Sequence, residues 1–168
     1  IDNLHQKAGS RNVIEFHGNM LNFRCLACGC TIGYEDLLQR LEMTPSLPPT
    51  CGCGGILKPD AVFFGEAIPQ HALKESFRHA QECDLMLVIG TSAQIEPAAS
   101  LPLVAKGLYP VFRGMGAGFS KIGTHVVEIN RETTPLTRDV SDFIILGSAG
   151  DILWSILERV RAKGCVAG

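Results

Sequence analysis

The sequence predicts an α/β protein in which a doubly wound parallel sheet carries a small inserted metal-binding module. Strand-length apolar segments alternate along the chain with amphipathic segments of helix length, which is typical of such a sheet. The apolar segment at residues 85–89 is continuous, and this indicates a strand that is covered on both faces. Five cysteines cluster between Cys25 and Cys53, in a stretch whose composition differs from that of its flanks, and this predicts the module.

Local patterns predict the order of the elements. Apolar residues in strand patterns, bounded by turn residues, predict strands at residues 12–17, 60–64, 85–89, 126–130 and 143–146. Apolar residues at helical spacing predict helices at residues 34–42, 69–82, 97–106 and 151–162. The cysteine-rich module is expected at residues 21–59, inserted in a sheet domain of residues 1–20 and 60–168.

Composition excludes several classes of function. The chain has 168 residues, with 15 lysines and arginines against 17 aspartates and glutamates. Because nucleic-acid binding needs a basic excess, we expect no direct binding of nucleic acid. The apolar segments are far shorter than the ~20 residues of a membrane-spanning helix, and the first residues lack the pattern of a secretion signal. We therefore expect a soluble, cytoplasmic protein that has no membrane partner.

Four of the clustered cysteines have the spacing of a zinc site. Two close pairs, Cys25-x2-Cys28 and Cys51-x-Cys53, can supply four thiolates to a tetrahedral Zn²⁺ ion. Because four thiolates leave no position for water, the ion would be structural. Clustered cysteines in a chain without a secretion signal favour metal binding over disulfides. Buried cysteines without a metal are the alternative, and Cys30 could replace Cys28 in the first pair.

A histidine ends the first predicted strand. His17 lies between Phe16 and Gly18, at the kind of strand end that faces the ligand crevice of an open α/β sheet. Imidazole titrates near neutral pH and can accept a proton from a substrate hydroxyl. A lone histidine is more often a structural residue, and that interpretation applies to the remaining histidines, which are His5, His71, His79 and His125.

Two later predicted strands end in polar turns. These turns consist of Gly90, Thr91 and Ser92, and of Asn130, Arg131 and Glu132. Glycine allows a ligand to approach the backbone closely, and hydroxyl and amide groups can bind phosphate, ribose or adenine. Each turn could also be an ordinary solvated one. On their own the two turns do not indicate a nucleotide site. They become candidates for nucleotide binding only when other motifs of such a site accompany them.

The motifs together resemble the sirtuin family of zinc-containing, NAD-dependent protein deacylases. The similar segments occur in the family's order over nearly the whole chain, and the most specific of them lies at residues 54–66. They are Ile-Asp-Asn-Leu-His at 1–5, Glu-Phe-His-Gly at 15–18, the two cysteine pairs, Gly-Gly-x2-Lys-Pro-Asp-x-Val-Phe-Phe-Gly-Glu at 54–66, Gly-Thr-Ser at 90–92, Val-Glu-Ile-Asn at 127–130, Thr-Pro-Leu-Thr at 134–137 and Gly-Ser-Ala-Gly at 147–150.

The resemblance implies a Rossmann-like NAD-binding domain with a zinc-ribbon module, and it implies a role for each motif. His17 would be the general base that deprotonates the ribose hydroxyls, in a reaction that yields free lysine, nicotinamide and O-acyl-ADP-ribose. NAD would be bound by Ile1 and Asp2 at the nicotinamide pocket, and at ribose and adenine by Gly90, Thr91, Ser92, Asn130, Arg131, Glu132 and Ala149. The backbone of an acyl-lysine protein or peptide would pair with Val62, Phe63, Phe64 and Gly65. The zinc ligands would be Cys25, Cys28, Cys51 and Cys53.

Two segments depart from the pattern of the family. Sirtuins carry a first strand and a Gly-Ala-Gly phosphate loop before the position of Ile1, so we expect the N-terminal part of the Rossmann-like sheet to be absent here. Residues 108–122 resemble an insertion where sirtuins usually have a short turn, and the glycine-rich segment at 114–120 superficially resembles a phosphate loop. A surface insertion is the preferred interpretation, because Pro110 disfavours a central strand before the glycines. The alternative to an active deacylase is a non-catalytic zinc-module binding protein or an inactive fragment of such an enzyme.

Overall fold

The computed structural model describes residues 1–43, 45, 47–108 and 123–164. The chain divides into two compact units, Ile1–Leu73 and Lys74–Gly168. The insertion predicted at residues 108–122 lies outside the described residues except for Leu108, and Cys165 lies outside them as well. One unit contains an antiparallel sheet and the other a parallel one. The boundaries predicted for the cysteine-rich module stay a prediction.

The first unit contains a three-stranded antiparallel sheet. Its elements are α1 (Leu4–Lys7), β1 (Gly18–Cys25), β2 (Thr31–Gly33), α2 (Tyr34–Met43) and β3 (Leu57–Ala61), and the strand order is β2-β1-β3. Alternate residues of β1 point inwards, which buries Phe23 and Cys25. These two side chains pack with Ile32, Leu37 and Leu57, which come from β2, α2 and β3. Helix α2 lies where its amphipathic spacing predicts it.

The strand predicted at residues 12–17 is wrong, because β1 begins just after it, at Gly18. Residues 15–18 instead form a turn in which the Gly18 amide donates to the Glu15 carbonyl at 2.9 Å. Gly18 has a φ of +67°, and a Cβ there would collide with the backbone carbonyl of Asp60 in β3. Only glycine fits this start of the strand. The apolar–polar alternation of residues 12–17 therefore leads into the sheet without belonging to it.

The strand predicted at residues 60–64 is shifted towards the N-terminus. Strand β3 ends at Ala61, which is paired with Gly18 of β1. Phe63 and Phe64, which the prediction placed in this strand, are 51% and 92% exposed. They lie in a turn in which the Glu66 amide donates to the Phe63 carbonyl at 3.0 Å. The two aromatic side chains are thus available at the surface, beside the end of a strand.

Helices and parallel strands alternate through the rest of the chain. The elements are α3 (Gln70–Glu82), which spans the boundary between the units, β4 (Leu85–Ile89), α4 (Leu101–Ala105), β5 (His125–Asn130), α5 (Leu136–Asp139), β6 (Phe143–Leu146) and α6 (Ala149–Ala162). The strands are parallel and have the order β4-β5-β6. This architecture confirms the predicted α/β class with a parallel sheet. Helix α5 is an element that the sequence patterns do not predict.

One face of the parallel sheet is covered by two short helices. Val88 of β4 and Val126 of β5 pack with Ala105 of α4 and Leu136 of α5. Val126 and Ala105 are fully buried. This cluster is the core of the second unit, and it packs β4 and β5 against the two helices.

The other face of β4 is exposed, contrary to the prediction of a strand that is covered on both sides. Leu85, Leu87 and Ile89 are 53%, 44% and 37% exposed. Within the described residues, β4 pairs only with β5 and is an edge strand. Continuous apolarity predicts the strand itself correctly, but it cannot identify what covers each face.

A charged cluster joins α4 to the amino ends of β5 and β6. The Lys106 ammonium lies 2.8 Å from the Asp142 carboxylate, which also accepts the Val126 amide at 2.8 Å. Lys106 additionally donates to the Thr124 carbonyl at 3.4 Å. The cluster therefore connects residues that lie far apart in the sequence, at the sheet edge opposite to the polar turns.

No helix in the described parts of the chain is long and apolar enough to cross a membrane. Helix α6, with 14 residues, includes the charged residues Asp151, Glu158, Arg159 and Arg161. Its composition is that of a helix with one face in solvent.

Candidate functional site

Four cysteine thiols of the first unit converge on one point. The Sγ atoms of Cys25, Cys28, Cys51 and Cys53 all lie within 4.8 Å of one another. The Cys25–Cys53 and Cys28–Cys51 separations are 3.5 Å and 3.8 Å. Zinc–sulfur bonds of about 2.3 Å place the sulfurs of a tetrahedral site roughly 3.8 Å apart. The donor set and its spacing therefore fit Zn²⁺.

Two tight turns present these thiols. The Gly29 amide donates to the Cys25 carbonyl at 3.0 Å, and the Gly54 amide donates to the Cys51 carbonyl at 2.9 Å. Gly29 and Gly54 have φ values of +72° and +86°, in the left-handed region that glycine adopts easily. At Gly55, a Cβ would come within 2.7 Å of the Cys25 sulfur. Glycine is thus needed both to make the turns and to leave room for the sulfurs.

Cys30 lies outside the four-thiol group, which removes the alternative that it replaces Cys28. Its side chain is exposed, and its sulfur is directed at the Thr31 carbonyl oxygen at 3.9 Å. Its backbone carbonyl accepts the Cys25 amide at 2.8 Å, so its contribution to the first turn is made by the backbone. The geometry therefore favours Cys28 as the second ligand.

Neighbouring amides and sulfurs shift the pKa values of Cys25, Cys28 and Cys51. The backbone amide of Cys28 is the main cause that lowers the pKa of Cys25, to about 6. The Cys53 amide is the main cause that lowers the pKa of Cys51. Although the Cys30 amide acts to lower it, the pKa of Cys28 is raised to about 12 by its hydrogen bonds to the Cys53 and Cys25 sulfurs. A bound divalent cation would favour the thiolate form of all four groups.

The proposed general base, His17, lies in the turn that precedes β1. Its ring is half-buried and meets the Phe16 ring edge to face, with the centroids 5.1 Å apart. Its backbone carbonyl accepts a hydrogen bond from the Val62 amide at 3.0 Å. Among the described residues, no side chain forms a hydrogen bond with the ring nitrogens. The imidazole is therefore oriented by its neighbours while its nitrogens stay available for a proton.

Ile1 and Asp2 lie beside the same turn. The Met20 amide donates to the Ile1 carbonyl at 3.0 Å. The Asp2 carboxylate accepts the Leu4 amide, also at 3.0 Å. Asn3, which lies between Asp2 and Leu4, has a φ of +61°, which is uncommon for a residue other than glycine. The first unit therefore brings these two residues close to the histidine turn and holds them in a defined conformation.

Lys58 organises the segment that is proposed to bind the peptide, residues 62–65. Its ammonium donates to the Ala61 carbonyl at 2.7 Å and lies 2.9 Å from the Glu66 carboxylate. It also stands 4.5 Å from the centroid of the Phe63 ring, a cation–π contact. Glu66 accepts the Phe63 amide at 2.9 Å, and this bond, more than the contact with Lys58, lowers the pKa of Glu66.

These contacts limit how an added peptide strand could pair with the segment. The Val62 amide is bonded to His17, and both the amide and the carbonyl of Phe63 are bonded to Glu66. Strand addition uses backbone groups that are still free to pair. The carbonyl of Val62 and the groups of Phe64 and Gly65 are therefore the remaining candidates in this segment.

Three turns meet at the carboxyl edge of the parallel sheet. Gly90 follows β4, Asn130 ends β5 and Ala149 begins α6 just after β6. The Gly90 amide donates to the Ile129 carbonyl at 3.0 Å, and the Gly147 amide donates to the Asn130 carbonyl at 2.8 Å. Each turn is thus bonded to the neighbouring strand. An edge of this kind is where open α/β sheets bind nucleotides.

The other predicted nucleotide-binding residues surround this edge. All four are exposed at the strand ends, and they are Thr91, Ser92, Arg131 and Glu132. Ala149 is the first residue of a 14-residue helix, whose N-terminus attracts anions and polar oxygens. The second unit therefore collects all of the predicted ribose- and adenine-binding residues, while the first unit holds His17, Ile1, Asp2, the peptide segment and the cysteines.

A buried carboxylate behind the edge was missed by the sequence patterns. Glu128 is fully buried in β5 and accepts hydrogen bonds from the hydroxyls of Thr134, Thr137 and Ser141, at 2.5 Å, 2.7 Å and 3.1 Å. These bonds fold residues 131–141 back onto the sheet. A single acidic residue inside an apolar strand, followed by several hydroxyl residues, is the signal that identifies such a group.

Comparison with known proteins identifies the family. The model of the Sir2 family matches residues 1–97. The NAD-dependent protein deacylase of Pyrococcus furiosus is 36% identical over 166 residues, which cover 96% of this chain and 59% of that protein. The NAD-dependent protein deacetylase 1 of Pyrobaculum aerophilum is 41% identical over 162 residues, which cover 96% of this chain and 57% of that protein. The chain thus spans less than two thirds of the length of these relatives.

Solved structures agree with the sequence relatives. A structure of Sir2Tm bound to a propionylated peptide is 32% identical and has a TM-score of 0.77, covering 98% of this chain and 61% of its own. A Sir2 complex with a p53 peptide and NAD⁺ has the same identity and TM-score, covering 98% of this chain and 60% of its own. Because the family model matches more than half of the chain and the relatives match almost all of it, this chain belongs to the Sir2 family, the sirtuins.

Proposed function

We propose that this protein is an NAD-dependent protein-lysine deacylase, a transferase that releases nicotinamide and O-acyl-ADP-ribose. The observation that supports this most directly is the hydrogen bond from the Val62 amide to the His17 carbonyl, at 3.0 Å. It joins the proposed general base to the segment proposed to bind the acyl-lysine peptide. The acyl-lysine and the ribose hydroxyls must meet at the base for the reaction to proceed, and this bond keeps the base beside the peptide segment.

The chemistry divides between the co-substrate and the chain. NAD supplies a ribose carbon from which nicotinamide departs when the acyl oxygen of the lysine substrate attacks. His17 accepts a proton from a ribose hydroxyl at a ring nitrogen, and its contact with Phe16 keeps the ring oriented. Ile1 and Asp2 line the pocket of the departing nicotinamide. The family's known chemistry and the positions of these residues in one unit are the basis of these roles.

The polar sheet edge suits the ribose and adenine of NAD. It offers hydroxyl, amide and charged side chains at the carboxyl ends of parallel strands, where such ligands bind. The residues assigned to this role are Gly90, Thr91, Ser92, Asn130, Arg131, Glu132 and Ala149. The zinc site would be structural, since Cys25, Cys28, Cys51 and Cys53 fill all four positions of a tetrahedral ion.

The test is nicotinamide release by the protein at its full natural length, given NAD and an acetylated lysine peptide. We expect release only when both are present, and we expect His17→Ala to lower turnover about 10²-fold or more while zinc content and folding persist. His71→Ala is the matched control, because His71 is exposed on α3. Peptide binding without any nicotinamide release would instead support a non-catalytic zinc-module binding protein. Near-normal turnover of His17→Ala would remove His17 from the catalytic role.

A further inference from the structure

A single carboxylate joins two parts of the first unit. One oxygen of Glu15 accepts a hydrogen bond from the side-chain amide of Gln6 at 2.9 Å, and the other accepts one from Asn19 at 2.8 Å. Gln6 lies in α1, close in sequence to Asp2, whereas Asn19 lies in β1 just after the histidine turn. Glu15 is half-buried, so both bonds are partly shielded from water. The carboxylate thus connects the proposed nicotinamide pocket to the proposed general base.

The N-terminal segment has few other attachments. Helix α1 is a single turn that buries none of its residues. Within the described residues, two contacts join residues 1–10 to the rest of the first unit by hydrogen bonds: Gln6 to Glu15, and the Met20 amide to the Ile1 carbonyl. A helix of this length is not stable without tertiary contacts. The position of Asp2 therefore depends on these two contacts, and of the two only the bond to Glu15 is made by side chains.

His17 is held independently of Glu15's side chain. Its own carbonyl is bonded to Val62, and the next residue, Gly18, pairs with Ala61 in β3. Loss of the Glu15 carboxylate would therefore leave residues 1–10 held, among the described hydrogen bonds, only by that of Ile1 with Met20, and it would leave the histidine in place. The effect should appear at the nicotinamide side of the site and spare the base.

We propose that Glu15 is a positioning residue that sets the place of Asp2 relative to His17, and thereby the affinity for nicotinamide. The consequence for nicotinamide rests on the proposed function, whereas the anchoring of residues 1–10 does not. Glu15 acts through its hydrogen bonds to Gln6 and Asn19, and this role does not require a negative charge. An amide at position 15 can keep both bonds, because its oxygen accepts from Asn19 while the Gln6 amide rotates to present its oxygen.

Hydrogen exchange of the chain without any ligand tests the anchoring. The reporters are the amides of Lys7, Ala8 and Ser10, which are bonded within the segment, and of Met20, which is bonded to Ile1. We expect Glu15→Ala to accelerate their exchange roughly tenfold or more, because the segment opens locally. Glu15→Gln should leave exchange within about twofold of the parent chain. Unchanged exchange in Glu15→Ala, or equal acceleration in Glu15→Gln, would overturn the proposal.

A milder variant and a control complete this experiment. Gln6→Leu removes the hydrogen bond between Gln6 and Glu15 and leaves the one between Glu15 and Asn19. It therefore tests the anchoring of residues 1–10 even where Glu15→Ala does not fold. It should accelerate exchange of the same amides. Glu75→Ala removes an exposed ion pair with Arg78 on α3 and should not affect them. If Glu75→Ala accelerated amide exchange as much as Gln6→Leu does, the cause would be a general loss of stability. That result would contradict the anchoring role of Glu15.

Kinetics of the protein at its full natural length then test the consequence. Glu15→Ala should raise the inhibition constant of nicotinamide and the KM of NAD by about tenfold, a change of ~1.4 kcal/mol, while the KM of the peptide stays the same. If Glu15 had a purely structural role, the variant would have a lower kcat because less of it is folded, and the nicotinamide inhibition constant and the KM of NAD would be unchanged. That result would overturn the proposed effect of Glu15 on nicotinamide affinity. If the parent protein releases no nicotinamide, the proposed function fails, but the exchange result still decides whether Glu15 anchors the segment.

Discussion

The side-chain amide of Asn130 donates a hydrogen bond to the backbone carbonyl of Thr91, at 2.7 Å. Asn130 ends β5 and Thr91 follows β4, so the bond links the turns of two adjacent strands. The side-chain oxygen of Asn130 accepts the Arg131 amide at 2.9 Å. One asparagine therefore holds both of the turns that we propose to bind ribose and adenine.

Asn130→Asp is expected to weaken NAD binding selectively. The substitution places a carboxylate oxygen against the Thr91 carbonyl, so a donor is lost and a repulsion is gained. The KM of NAD should rise about tenfold or more, and the KM of the peptide should not change. Steady-state kinetics measure both constants. Asn22→Asp, on an exposed position of β1, is the control, and an equal rise in that variant would contradict the role of Asn130.

Cys51→Ser should release the zinc and unfold the part of the first unit around it. Four sulfurs within 4.8 Å of one another form the site, and a hydroxyl is a much poorer ligand than a thiolate. Metal analysis and hydrogen exchange of β1 and β2 measure the effect. Cys30→Ser is the matched control, because that thiol lies outside the group, and it should keep a full equivalent of zinc. Retention of zinc by Cys51→Ser would contradict the assignment.

The Asp142 cluster should make stability depend on pH in the acid range. The hydrogen bond from Lys106, more than that from the Val126 amide, lowers the pKa of Asp142 below its ordinary value of 3.8. The folded state is therefore favoured above this ordinary value, and that contribution is lost as the pH falls through the lowered pKa. Asp142→Asn should lower the melting temperature at neutral pH, and the difference from the parent should shrink as the pH falls below 3.8.

The control for this prediction is Asp139→Asn. Asp139 is 76% exposed, and its nearest basic partner, Arg138, is 3.7 Å away. Its loss should change the melting temperature little at any pH, as for most exposed ion pairs. If the difference in melting temperature between Asp142→Asn and the parent stayed the same in acid, the charge of the Asp142 carboxylate would not be the cause of its stabilising effect.

Gly18→Ala should destabilise the first unit by about 2 kcal/mol or more. The added Cβ would collide with the Asp60 backbone, and the φ of +67° disfavours any other residue. Gly9→Ala is the matched control, because Gly9 has a φ of +91° but nothing within 4 Å of its Cβ position. Its cost should be limited to backbone strain, about 1 kcal/mol. Urea denaturation measures both, and equal costs would show that the close approach of β1 and β3 does not matter.

The sequence predicts most elements of the second unit because each depends on local patterning. Helix α3 and the strands β4, β5 and β6 lie where their apolar spacing places them. The cysteine cluster is equally predictable, since the spacing of its ligands specifies the geometry. The exposure of Leu85, Leu87 and Ile89 was not predictable, because a strand's own residues carry no information on its neighbours.

The errors in the first unit have a different cause. Residues 12–17 and 60–64 do contain the apolar residues that favour strands. The boundaries of the strands, however, depend on the pairing of Gly18 with Ala61, and these two residues are distant in sequence. The same holds for Glu15 and Glu128, whose partners become apparent only in three dimensions. The chemistry of individual groups was therefore predictable, whereas the contacts that position them were not.

The contacts of Lys106 also bear on how freely this protein can be altered. Lys106 and Thr124 precede and follow residues 109–122 in the sequence, and the bonds among Lys106, Thr124 and Asp142 hold the two ends of that connection together. Doubling the length of a chain segment whose ends are already held costs only ~0.6 kcal/mol. A fluorescent protein or an affinity tag placed within residues 109–122 should therefore leave the parallel sheet intact, which makes this the preferred place for inserting a reporter.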